Sequence, residues 1–294
     1  MLRQSVVVAG ATGRLGSIVH ALLARGHRVT ALTRTPHSPA AAGLREAGAE
    51  VRPADFDEPA SIVAAARGAD ALFATGTAHR VGPDGELRHG LNVVDATAKA
   101  EVGHLVFVSG DGAAPDSPIP LFRTKYRVEE RIRSLGINHT ILAPAYFMEN
   151  LFNPWNLPLL RAGSFPSPIP VGVPMQQAAV ADVIAIAVLA IEAPVAFTDQ
   201  RLRIASDELS AKVAADILSR AAGRPFEPTR IDLDALPPGL GTLFAWLERE
   251  GHSVDLAALR REYPEVAWHS YAHWVRSVSA RFREFCPHPV LAGP

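Results

Sequence analysis

Ser5-Val6-Val7-Val8-Ala9-Gly10-Ala11-Thr12-Gly13-Arg14-Leu15-Gly16-Ser17 is the stretch on which the reading of this chain turns. Three consecutive valines without polar alternation describe a strand buried on both faces, as in a parallel sheet. The glycines that follow have separate physical reasons. Gly10 permits the tight turn, Gly13 lets the backbone approach a pyrophosphate, and Gly16 lets the following helix pack close to the strand. Such a phosphate would rest on N–H groups at the positive end of that helix, in a loop made of Gly10, Thr12, Gly13, Arg14, Leu15 and Gly16.

Working outward, the same rhythm continues. Apolar runs at Ser5–Ala9, Arg28–Thr33, Glu50–Arg52, Ala71–Ala74, His104–Val108 and His139–Leu142 alternate with helical stretches at about 14–25, 40–47, 59–67, 86–101 and 120–135. This alternation predicts an α/β fold, a doubly wound parallel Rossmann sheet with ligands at the carboxyl ends of its strands. After Pro144 the rhythm breaks. Six prolines between 153 and 174 predict an irregular, ordered loop. Beyond it the sequence predicts a helix at 180–192, a strand at 201–205, and helices at 208–222, 234–250, 255–262 and 269–284. The expected organisation is a dinucleotide-binding domain over 1–150 and a smaller, mainly helical C-terminal subdomain over 151–294. That subdomain would fold over the cofactor crevice, with 175–205 partly returning to the Rossmann core.

The second strand bears on the choice of dinucleotide. Dinucleotide domains that take NAD end this strand with an acid for the ribose 2′-hydroxyl. Here Ala31-Leu32-Thr33-Arg34-Thr35 offers no carboxylate, and Arg34 brings a guanidinium fork suited to a 2′-phosphate, with Arg14 as a second positive charge. Either arginine alone could be a solvated surface residue; together they favour NADP, with NAD the other possibility. Asp55, with Phe56 beside it after the third strand, either accepts from an adenine amino group or caps the turn before Glu58-Pro59. Thr75, Gly76 and Thr77 end the fourth strand in a small-residue turn open to ribose and phosphate. Ser109, at the end of the fifth, is placed either to hydrogen-bond a substrate oxygen or to cap a turn.

Composition narrows the rest. At 294 residues, about three quarters of the unfolded surface can be buried, so the core needs no disulfide or metal. A net charge of −1 gives no sign of a nucleic-acid surface, and no apolar run reaches the length of a membrane span. The lone Cys286 and a start that enters a core strand at once lead us to expect a cytoplasmic protein, monomer or homodimer, acting on a small molecule.

These residues resemble the short-chain dehydrogenase/reductase superfamily, and specifically its atypical NmrA-like branch. The resemblance rests on the Gly10–Gly16 loop, Arg34, Asp55-Phe56, Thr124-Lys125 with Val128-Glu129, and Ala143-Pro144-Ala145-Tyr146-Phe147-Met148-Glu149-Asn150. That branch holds quinone, azo and triphenylmethane reductases and also non-catalytic redox sensors. The superfamily's Tyr-x-x-x-Lys pair is missing, since Glu130 stands where Tyr126 would need a lysine. The resemblance instead implies that Lys125 bonds the nicotinamide ribose and takes part in proton transfer, unless it is an ordinary surface lysine. Ser109 would assist at the substrate oxygen. Pro144, Tyr146 and Phe147 would line the cofactor, although the aromatic rings could equally serve loop packing. The implied function is an NADPH-dependent oxidoreductase acting on a planar, electron-poor molecule such as a quinone. The alternative is an NADP(H)-binding redox sensor without turnover.

Overall fold

In the computed structural model, which describes residues 3–76, 78–233, 236, 239–279 and 282, the chain forms two compact units. The first comprises Met1–Pro144 and Val183–Ile204; the second comprises Ala145–Asp182 and Ala205–Pro294.

The first unit runs β1 (Ser5–Ala9), α1 (Ile18–Ala24), β2 (Arg28–Thr33), α2 (Pro39–Glu46), β3 (Glu50–Pro53), α3 (Pro59–Ala66), β4 (Ala71–Thr75), α4 (Ala78–Lys99), β5 (His104–Val108), α5 (Pro120–Ser134) and β6 (His139–Pro144). In chain order there follow β7 (Tyr146–Phe147), α6 (Leu157–Arg161), β8 (Ser164–Ser167), β9 (Pro174–Ala178), α7 (Val180–Glu192), α8 (Pro194–Phe197), β10 (Gln200–Ile204), β11 (Asp207–Ser210), α9 (Ala211–Ala222), β12 (Glu227–Arg230), α10 (Leu240–Arg249), α11 (Leu256–Glu262) and α12 (Tyr271–Ser277). No described helix is long and apolar enough to cross a membrane.

Seven parallel strands form one sheet in the order β10-β6-β5-β4-β1-β2-β3. The order reverses between β1 and β4, the position at which doubly wound sheets bind ligands. Side chains alternate faces along a strand. On one face Val7, Ala9, Leu72, Ala74, Leu105, Phe107 and Ile141 join Ile62 and Ala66 of α3, Val93 and Val94 of α4, and Val128 and Ile132 of α5 in one core. The alternate residues Val6, Val8, Phe73, Val106 and Leu142 are buried too, so these strands are apolar on both faces, as the opening valines require.

Three boundaries differ from expectation. The first helix starts only at Ile18, because residues 10–17 are taken up by turns. The helix expected at 86–101 extends from Ala78 to Lys99 and breaks at Gly82 (φ 69°), with Pro83 starting the straight part. The helix expected over 208–222 begins at Ala211, capped by Ser210, whose Oγ accepts from Val213 N; a strand occupies 207–210.

The second unit holds more sheet than expected. The proline-rich stretch is not an irregular loop throughout: it contains α6 and β8, and Pro174 opens β9. Among the described residues β8 pairs only with β12, in a two-stranded ribbon, where prolines that lack an N–H are tolerated at an edge. A second small sheet has the order β11-β9-β7. Around them Met148, Phe152, Leu160, Phe165, Leu218, Tyr271 and Trp274 form a separate core. The expected helices at 234–250 and 269–284 are seen as Leu240–Arg249 and Tyr271–Ser277; parts of both spans, and Cys286, lie outside the described residues.

Candidate functional site at the carboxyl edge of the sheet

The glycine loop is a chain of tight turns. Gly13 N donates to Gly10 O (2.9 Å), Gly16 N to Gly13 O (3.0 Å) and Ile18 N to Leu15 O (3.2 Å), winding the backbone into α1. Gly10 sits at φ +86°, where a side chain would be strained, and a Cβ there would stand 3.2 Å from Thr75 Cγ2. A Cβ on Gly16 would fall 2.0 Å from Ala11 O, so the helix approaches the loop more closely than any other residue allows. Thr12, Gly13 and Arg14 are exposed, whereas Leu15 is buried and contributes only backbone to the outer surface of the loop.

Arg34 leaves the end of β2, whose Leu32 pairs with Ala9 of β1, so it departs from the same edge as the glycine loop. It is exposed and makes no hydrogen bond or ion pair with the described residues. A backbone cradle that a Cβ would fill, beside an unpaired guanidinium, fits the pyrophosphate and 2′-phosphate of a dinucleotide.

Asp55 is built into the turn after β3. Its Oδ1 accepts from Asp57 N (3.0 Å), its N donates to Ser61 Oγ (3.0 Å), and its carbonyl accepts from Glu58 N (3.0 Å). Phe56 packs edge-on against His89, with centroids 5.7 Å apart, and its carbonyl accepts from Asn92 (2.7 Å).

Lys125 comes from α5 and spans two strand ends. Its stem passes over Gly110, where a Cβ would lie 3.3 Å from Lys125 Cδ, and its Nζ reaches Gly76 at the end of β4. There Nζ donates to Glu86 Oε1 at 2.8 Å, with both side chains largely buried. Lys125 is therefore not an ordinary surface lysine. Glu86 went unnoticed in the sequence; its one signal was an acid in the first turn after Gly82-Pro83.

Ser109 differs from what was anticipated. Its hydroxyl is buried and donates to Glu129 Oε1 (2.6 Å), so its hydrogen is committed inside the protein. Glu129, almost fully buried, also takes Arg133 (2.8 Å) and Arg201 (2.9 Å), which satisfies a carboxylate that would otherwise be costly to bury. Arg201 further donates to Gly110 O (3.0 Å), and Arg203 pairs with Asp111. These contacts brace the turn after β5, on which Lys125 rests. Thr75 and Gly76 lie at the end of β4 as expected; Thr77 falls outside the described residues, as do the side chains of His79 and Arg80.

Pro144 ends β6, buried, with its carbonyl accepting from Asp111 N (3.0 Å). Tyr146 and Phe147 belong to the second unit as strand β7, paired with Gln177 and Ala178 of β9. Tyr146 lies edge-on to Phe244 (6.4 Å) and lines a cavity within that unit, together with Met148, Asn156, Gln177, Leu209 and Tyr271. Asn156 Oδ1 is buried there without a hydrogen-bond partner among the described residues. Burial, with Glu149 and Tyr146 nearby, pushes the Tyr271 hydroxyl far above its ordinary value. Asp182 accepts from His269 N (3.0 Å) and pairs with His269 Nδ1 (2.6 Å).

Residues 3–247 match the NmrA-like family. The chain is 30% identical over 231 residues to an NAD(P)H azoreductase of Xenophilus azovorans, covering 78% of each. It is 31% identical over 161 residues to the photosystem II assembly factor Ycf39 of Cyanophora paradoxa, spanning 53% of this chain and only half of that relative. Among solved structures, triphenylmethane reductase of Citrobacter sp. superimposes with a TM-score of 0.76 at 22% identity, over 93% of this chain and 98% of that one.

Proposed function

The chain belongs to the NmrA-like family, and on that premise we propose that it is an NADPH-dependent oxidoreductase whose acceptor is a small, planar, electron-poor molecule such as a quinone or an azo dye. The observation that carries this reading is Lys125, an ammonium drawn off the surface and pinned by Glu86 at the carboxyl edge of β4 and β5. Support comes from the azoreductase relative, which covers most of both chains.

In this reading the N–H groups of the loop from Gly10 to Leu15 hold the pyrophosphate, and Arg34 takes the 2′-phosphate as a charge-assisted pair. Lys125 bonds the ribose through Nζ and passes a proton from that atom to the substrate oxygen or nitrogen. The reduced nicotinamide, when bound, supplies the hydride that completes the two-electron reduction. Ser109, through Glu129, and Arg201, through Gly110 O, keep the bed beneath the lysine in place.

The test is NADPH titration, followed by the fall in reduced-nicotinamide absorbance with a panel of quinones and azo dyes. Turnover that drops about a hundredfold or more in Lys125→Ala supports the proposal, on the scale of a general acid. Tight NADPH binding without turnover on any acceptor supports the sensor, which the absent tyrosine–lysine pair at Tyr126 and Glu130 favours.

A further inference from the structure

Glu86 has a feature that pairing with Lys125 does not explain. It sits in the first turn of the straight part of α4, directly after the break at Gly82 and Pro83, where helix N–H dipoles favour a carboxylate. It is only 4% exposed. One oxygen, Oε1, takes Lys125 Nζ at 2.8 Å. The other, Oε2, is buried and has no hydrogen-bond partner among the described residues. An ionised carboxylate can accept about four hydrogen bonds, and native proteins seldom leave a buried acceptor bare.

The surroundings show what is missing. The carboxylate lies against Gly76, where a Cβ would stand 2.1 Å from Glu86 Oε1 and 2.9 Å from Lys125 Nζ. Even one methyl group at this strand end would displace the pair. An acceptor-only carboxylate beside a donor-only ammonium is matched by a group that both gives and takes, and a hydroxyl does both. A phosphate oxygen, which only accepts, is repelled by Glu86.

We propose that Glu86 binds ligand directly: Oε2 accepts a hydrogen bond from a hydroxyl of the nicotinamide-side ribose while Oε1 holds Lys125 beside it. This rests on the NADPH reading above. The pair then sorts the two ends of the dinucleotide, admitting a sugar hydroxyl and excluding phosphate at the β4 edge.

Glu86→Gln tests it, because glutamine keeps the shape and an oxygen for Lys125 but turns the second position into a donor. NADPH and adenosine 2′,5′-bisphosphate, which lacks the nicotinamide half, are titrated calorimetrically into wild type and variant. The expected result is NADPH binding weakened about tenfold or more, the scale of a lost bond to a charged acceptor, with the bisphosphate unchanged. Unchanged NADPH binding, or equal weakening of both ligands, overturns the inference while leaving the NADPH reading intact. Failure of wild type to bind either ligand overturns both.

Discussion

Arg34 shows how much one side chain can decide. Exposed and unpaired at the end of β2, its guanidinium has no described partner that would make its removal costly to the fold. Replacing it should therefore read out on ligand affinity alone. Arg34→Ala is expected to weaken NADPH by about 1.5–3 kcal/mol, the range for hydrogen bonds to charged groups, while NADH binding stays as in wild type. Fluorescence titration of both nucleotides checks this, and equal losses for the two would show that Arg34 does not read the 2′-phosphate. Ser109 makes the opposite point. Its position at a strand end invited a catalytic reading, but the hydroxyl is already spent on Glu129.

At the scale of elements, the loop between β1 and α1 is held by proximity rather than by side chains. Gly16→Ala places a methyl carbon 2.0 Å from Ala11 O, and backbone cannot yield as a flexible side chain would. The expected loss is about 1–3 kcal/mol or more, from overpacking, with a lower urea midpoint; a midpoint equal to wild type would mean that α1 moves freely against the loop. This element was legible because its reasons are local: glycines at 10, 13 and 16 act within successive turns of one short loop. The strands β1 to β6 were legible because burial on both faces leaves an almost continuous apolar run. β8 and β12 were not, since Ser164-Phe165-Pro166-Ser167 and Glu227-Pro228-Thr229-Arg230 carry neither alternation nor apolar continuity and are strands only through each other. The lysine's partner was hidden for a related reason. Lys125 and Glu86 are 39 residues apart, and Ser109 and Glu129 are 20 apart; such pairs depend on sheet order, which periodicity does not contain.

Across the whole molecule, each unit carries a histidine whose response to pH opposes the other's. In the first, His104 is buried on β5; Thr140 Oγ1 bonds its Nε2 (2.8 Å) and donates its own hydrogen to Phe197 O (2.9 Å), so the imidazole is the donor through Nε2–H. Burial, with His139 nearby, lowers its pKa to about 4. The unfolded chain binds that proton more readily, so the contribution is complete above about pH 6.5 and is lost as pH falls toward 4, at most on the order of 3 kcal/mol. In the second unit, the hydrogen bond that His269 Nδ1 donates to the Asp182 carboxylate raises the pKa of His269. Its contribution is complete below about pH 6.5 and is lost as pH rises through the raised value. Thermal unfolding from pH 4 to 9 should show His104→Gln flattening the acid limb only and His269→Gln the alkaline limb only. An acid limb unaffected by His104→Gln would show that the imidazole is hydrated.

The strand order also sets a timetable. β6, buried along its whole length, receives its outer neighbour β10 only after the chain has passed through Ala145–Asp182 and come back. During synthesis at about 5–20 residues per second, the roughly 60 intervening residues leave that edge uncovered for about 3–12 seconds. An uncovered apolar edge is the surface on which strands of other molecules add. The nascent protein therefore passes through a brief window in which holdase chaperones have most to protect, and it closes when Gln200–Ile204 reaches the sheet.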